Sequence, residues 1–87
     1  MSQSGADLEQ LTRLREVLLR QSSLIEELTV ALRAQLGATT WHGPAAERFR
    51  GAWSSDFEPT LRRLQAELRD AGAEVQRRRD ALAQATG

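Results

Sequence analysis

Apolar residues seven positions apart, in two runs split by a glycine- and proline-broken stretch, leave this chain few folds. In the first run Leu11, Leu18, Ile25 and Leu32 recur at sevens, and Leu14, Gln21, Leu28 and Gln35 each follow three residues later. This is an a/d heptad, the mark of an amphipathic helix, with Gln at every second d place. Leu8 and Leu36 widen the stripe on one flank; Val17, Leu24 and Ala31 widen it on the other. A single seam needs only a and d, so a wider face predicts contact with more than one neighbour. Ser4, three before Asp7, is an N-cap signal, and Gly37 is a C-terminal stop. The pattern predicts helix 1 over about residues 6–36, about 45 Å at the rise of an α-helix.

The second run starts after Gly43. Pro44 suits a first helical turn, where a missing N–H costs nothing, and Glu47 complements the positive end of the helix dipole. Phe49, Trp53, Phe57 and Leu61 then step by four. Leu61, Leu68, Val75 and Leu82 recur at sevens, with Phe57, Leu64, Ala71 and Arg78 interleaved. Pro59 removes a backbone bond and crowds the preceding turn, so a kink or short break is expected near residues 55–59. Helix 2 is predicted over about residues 45–84, with the connecting turn at 37–44.

Two helices of similar length joined by about seven residues fold back as an antiparallel hairpin. The whole chain, 1–87, then forms one all-α hairpin domain. A lone hairpin covers one side of each stripe only, so the faces predict dimerisation into a four-helix bundle. The expected hairpin and dimer core is Leu11, Leu14, Leu18, Ile25, Leu28, Leu32, Leu61, Leu64, Leu68 and Val75.

Composition excludes several function classes. Twelve basic residues, all Arg, balance twelve acidic ones. That balance argues against a generic nucleic-acid or polyanion binder. Without cysteine there is no disulfide framework, thiol nucleophile or Cys-based metal site. No stretch approaches the roughly 18 to 20 apolar residues of a membrane span. No basic region followed by an apolar core opens the chain, so a cleaved secretory signal is not expected.

The connection reads Gly37-Ala38-Thr39-Thr40-Trp41-His42-Gly43-Pro44. Trp41 and Gly43 form a W-x-G at the midpoint of a short helical hairpin, with an aromatic, Phe49, eight residues after the Trp. Over nearly its whole length the chain resembles the WXG family, the early-secreted-antigen-like small proteins of type VII secretion systems. The resemblance implies hairpins that pair as homodimers or heterodimers, and export without a cleaved signal peptide. It implies that the W-x-G turn of one subunit lies near a C-terminal Tyr-x-x-x-Asp/Glu signal of its partner, where a secretion ATPase reads both. It also implies non-enzymatic roles, as escort of a larger partner or as an effector acting by binding. Trp41 and Gly43 would be the recognition turn. The physical reading of the residues is compatible: Gly43 tolerates backbone geometry that a Cβ resists, and Trp41 offers a large apolar body with one polar end. One departure stands out. The chain has no Tyr, so the export signal is expected on a partner, or this member stays in the cytoplasm.

Phe49, Trp53 and Phe57 form an aromatic row that is either bundle core or a candidate partner-binding patch; Trp53, off the strict a/d register, is the expected exposed member. His42 is the only histidine and makes a poor metal site, because zinc takes three or four protein ligands. Arg77, Arg78 and Arg79 read as a solvated helix end beside Glu74 and Asp80. Arg78 falls at a core-type place, where it snorkels or meets an acidic residue of a partner helix. Gln21 and Gln35 can set register or partner choice, or face a water-filled gap. No nucleophile, phosphate loop or carboxylate pair points to catalysis. The expected function is therefore protein–protein binding without enzyme activity, cofactor or metal. The alternatives are a cytoplasmic coiled-coil adaptor, or a separately encoded targeting or chaperone partner of a larger toxin.

Overall fold

The computed structural model describes residues 2–86, with the side chains of residues 5–85. It is an antiparallel helical hairpin, 63 × 17 × 15 Å. Helix α1 spans Ser2–Ala38 and α2 spans Pro44–Ala52. A π-helical turn, Trp53–Phe57, joins α2 to α3, Glu58–Thr86. No strand occurs among the described residues.

The ends depart from the sequence expectation. Helix α1 begins at Ser2, so Ser4 lies inside it rather than at its cap; its side chain is not among those described. Gly37 does not stop α1 in a left-handed conformation, since Gly43 is the only positive-φ residue described. Instead the last turn is closed by side chains. Arg50 donates to the Leu36 carbonyl at 2.6 Å, and the Thr39 hydroxyl donates to the Gln35 carbonyl at 2.6 Å. These bonds satisfy carbonyls that a helix end leaves without partners.

Nor does Pro59 break the second arm. The π turn precedes it, with the Glu58 N–H donating to the Trp53 carbonyl five residues back. One residue is thereby inserted into the helical count. Proline sits just after the insertion, where the ladder is already shifted, and the arm continues through Thr86.

The seam between the arms is the main correction. Its buried side chains are Ser22 and Thr29 on α1, Gln65 on α3, and Ala46 and Trp53 nearer the turn. On α1, Leu8, Arg15, Ser22, Thr29 and Leu36 stand at sevens. On α3, Glu58, Gln65, Gly72 and Arg79 do the same, and Ala46 and Trp53 extend the row across the π insertion. Small residues let the backbones approach closely. A Cβ at Gly72 would lie 2.9 Å from the Leu19 side chain. The buried hydroxyls have partners: Thr29 donates to the Ile25 carbonyl at 2.7 Å and Ser22 to the Gln65 carbonyl at 3.3 Å. No buried side-chain polar atom among the described residues lacks a hydrogen bond, which is what a polar seam requires.

The leucine rows flank this seam. Leu11, Leu18, Ile25, Leu61, Leu68 and Val75 are half-buried, whereas Leu14, Leu28, Leu32 and Leu64 are exposed. The last four are therefore not hairpin core. Heptad spacing alone does not reveal which of several parallel rows meets the near neighbour.

Candidate functional site

The two sides of the hairpin differ in chemistry. Cross-arm pairs fix the pairing level: Arg79 donates to Thr12 at 2.8 Å, Arg62 lies 3.7 Å from Glu26, and Arg33 pairs with Glu58 at 2.7 Å. Thr12, Glu26 and Arg33 each stand four residues after an α1 seam position, and Arg62 stands four after Glu58. Arg33 and Glu58 form a two-pronged contact, Nε and Nη2 donating at 3.1 and 2.7 Å. Hydrogen bonding from Arg33 holds the Glu58 carboxyl below its ordinary range, with smaller help from Arg62 and Trp53.

Residues three after each seam position fall on the other side of both antiparallel arms. There stand Leu11, Leu18, Ile25 and Leu32 from α1, and Leu61, Leu68, Val75 and Leu82 from α3. Leu14, Leu28 and Leu64 stand further out on the same side, each between 45% and 47% exposed. A shallow groove at the open end, lined by Leu11, Leu14, Arg78 and Leu82 together with Asp7 and Gln10, joins the two rows. Gln21 and Arg78, both exposed, are the polar interruptions of this face. Gln35 is engaged locally, its amide donating to Thr39 at 3.1 Å.

The turn forms the tip of the molecule. Gly43 has φ 111°, a conformation L side chains resist. Its carbonyl accepts the Glu47 N–H at 3.0 Å and opens α2. Trp41 is 40% exposed. Its ring contacts Phe49 at 6.2 Å between centroids, and Phe49 contacts Phe57 at 6.2 Å. Both spacings are those of favourable tilted aromatic pairs. All three rings are exposed, so an aromatic row runs from the tip onto the second arm.

Trp53 is not in that row. It is buried, 7% exposed, against the expectation that it would be the exposed member. The π insertion explains the change. The eight residues from Phe49 to Phe57 contain the inserted one and so complete about two whole turns. Phe49 and Phe57 line up, while Trp53 is rotated toward α1.

Arg50 is the residue that sequence reasoning missed. Its guanidinium donates to the carbonyls of Leu36 and Thr39 and lies 5.8 Å from the Trp41 ring centroid. It ties the end of α1 to the turn and backs the exposed indole by a cation–π contact. An Arg nine residues after the Trp carries no local signal of this role, because the cap is supplied across the hairpin.

His42 is exposed in the turn, and no group of His, Cys, Asp or Glu that could hold a metal occurs among the described residues. In the arginine run, Arg77 pairs with Glu74 at 2.8 Å and Arg79 lies 3.5 Å from Asp80. No helix of the described chain is long and apolar enough to cross a membrane. Comparison with protein-family models, curated proteins and solved structures found no match to the chain.

Proposed function

We propose that this chain is a WXG-type subunit handled by a type VII secretion system, acting by binding other proteins and not by catalysis. What carries the reading is the turn: an exposed Trp41 and a positive-φ Gly43 at the tip of a helical hairpin. The open leucine face supports a place in a four-helix bundle. Such a face, unlike singly scattered exposed leucines, marks an interaction site. In this reading the partner is another hairpin of the same type, and the assembly is exported without a cleaved signal or escorts a larger effector. Trp41 and Gly43 meet the secretion ATPase. Phe49 and Phe57 extend that contact, and Trp53 supports it from inside.

The test is Trp41→Ala, followed by recovery of the chain and its partner from culture supernatant. Loss of export with helicity retained supports the reading; unchanged export of a folded variant sinks it. The absence of Tyr favours a second reading, a cytoplasmic adaptor. Retention in the cell with its genomic neighbours expressed selects that reading.

A further inference from the structure

We infer that Arg50 is the positioning residue of the tip: its guanidinium fork fixes both the backbone before Trp41 and the indole itself, so that the ring is presented in one orientation. This rests on the reading of Trp41 as a recognition residue and goes further, naming the group that orients it.

The first argument is how little else holds the turn. Residues 39–43 lie outside the helices. Apart from the ladders within helices, the described residues make one backbone–backbone hydrogen bond, from the Glu47 N–H to the Gly43 carbonyl. It fixes the chain two residues after Trp41. Two residues before Trp41, the Thr39 carbonyl accepts from Arg50 Nη2 at 3.0 Å. Trp41 is therefore the middle of a short span pinned at both ends. The Thr39 hydroxyl also bonds back to the Gln35 carbonyl, but that bond closes α1 and does not reach the indole.

The second argument is the shape of the group. Nη1 donates to the Leu36 carbonyl at 2.6 Å, Nη2 donates to the Thr39 carbonyl, and the carbon between them lies 5.8 Å from the Trp41 ring centroid. Two nitrogens of one planar group, each on its own carbonyl, leave that plane little freedom to turn. The fixed cation then holds the ring by its quadrupole. None of the ion pairs among the described residues involves Arg50, so its charge is directed at the carbonyls and the ring. Phe49, its neighbour on α2, reaches the same indole at 6.2 Å between centroids. A lysine at residue 50 would keep the charge near the α1 C-terminus but would offer one nitrogen and no plane.

The consequence is preorganisation. An exposed side chain that is ordered before binding loses no rotamer freedom when a partner arrives, which favours binding by about two- to tenfold.

Nuclear magnetic resonance of the nitrogen-labelled chain reports the indole directly. The two tryptophans give two indole N–H signals, and Trp41→Phe identifies the signal of Trp41 by its loss. The heteronuclear Overhauser effect of that signal should be that of an ordered group in wild type. It should fall in Arg50→Met and in Arg50→Lys, with helicity at the wild-type level by circular dichroism. Thr39→Val removes the hydroxyl that closes α1 and leaves the Thr39 carbonyl to Arg50. It should leave the indole ordered, whereas a general loosening of the α1 end would not. Export of Arg50→Lys should fall by about two- to tenfold, a smaller loss than in Trp41→Ala. A mobile Trp41 in wild type, or an ordered one in either Arg50 variant, overturns the inference. So does equal mobility in Thr39→Val. So does full export of Arg50→Lys with a mobile indole, where Trp41→Ala abolishes export. If Trp41→Ala and Arg50→Lys are both exported as wild type, the recognition reading falls, and the resonance measurement still decides whether Arg50 orients the ring.

Discussion

The two faces of the hairpin are built from the same helices but carry opposite chemistry. One is strapped by Arg33–Glu58, Arg62–Glu26 and Arg79–Thr12. The other presents Leu14, Leu28, Leu32 and Leu64 to the surroundings. Between them runs a seam of Ser22, Thr29, Gln65 and Gly72, with Leu19 packed against Gly72, that brings the arms together while Leu14, Leu28, Leu32 and Leu64 stay exposed. A short two-helix chain can thus hold its own shape and still keep an apolar surface open. Exposed ion pairs contribute little singly, so the straps set pairing level more than stability. Close approach at the seam and burial of Trp53 hold the arms together. Leu14, Leu28, Leu32 and Leu64 remain exposed and, in the proposed function, serve assembly.

The largest effect is expected at the seam. Trp53→Ala removes the one large buried apolar side chain among the described residues. It should lower unfolding free energy by about 3–5 kcal/mol, read by denaturant unfolding with far-UV circular dichroism. A change under about 1 kcal/mol would mean that Trp53 does not hold the arms.

Gly72→Leu attacks the close approach. The added side chain meets Leu19 and should cost about 1–3 kcal/mol by overpacking, partly offset by roughly 1 kcal/mol of helix propensity. Gly51 offers the contrast, since a Cβ there meets nothing within 4 Å. Gly51→Ala should stabilise the chain by up to about 1 kcal/mol. If both substitutions stabilise, the seam is looser than described.

The smallest effect belongs to the straps. Glu58 has its folded-state carboxyl lowered by Arg33. Its contribution is therefore present above the ordinary Glu value, about 4.3, and is lost as pH falls through the lowered folded value. Glu58→Gln should remove that part of the acid dependence and leave neutral-pH helicity intact. Equal acid slopes in both proteins would exclude the strap as their source.

Much of this architecture was legible in the sequence. The heptads of Leu11 to Leu32 and Leu61 to Leu82 announce two helices, and the Gly and Pro residues between them announce the reversal. The near neighbour of each stripe was not legible. Ser22, Thr29 and Gly72 also stand in rows of seven, but small and polar residues carry no hydrophobic signal, although they permit the closest approach. The π turn was signalled only by Pro59, and its effect, turning Trp53 inward and aligning Phe49 with Phe57, depends on where the extra residue goes. Arg50 was hidden because the carbonyls it caps lie on the other side of the turn.

In the function proposed for the chain, the leucine face serves association and the seam serves the hairpin. The most direct test substitutes Leu28→Glu and Leu64→Glu together, with mass by light scattering and helicity by circular dichroism on one sample. Wild type is expected at twice 9.7 kDa, and the double variant at monomer mass and still helical. Unchanged mass in the variant, or unfolding at neutral pH in the cold, would contradict it: the face would then be either idle or part of the hairpin's own core.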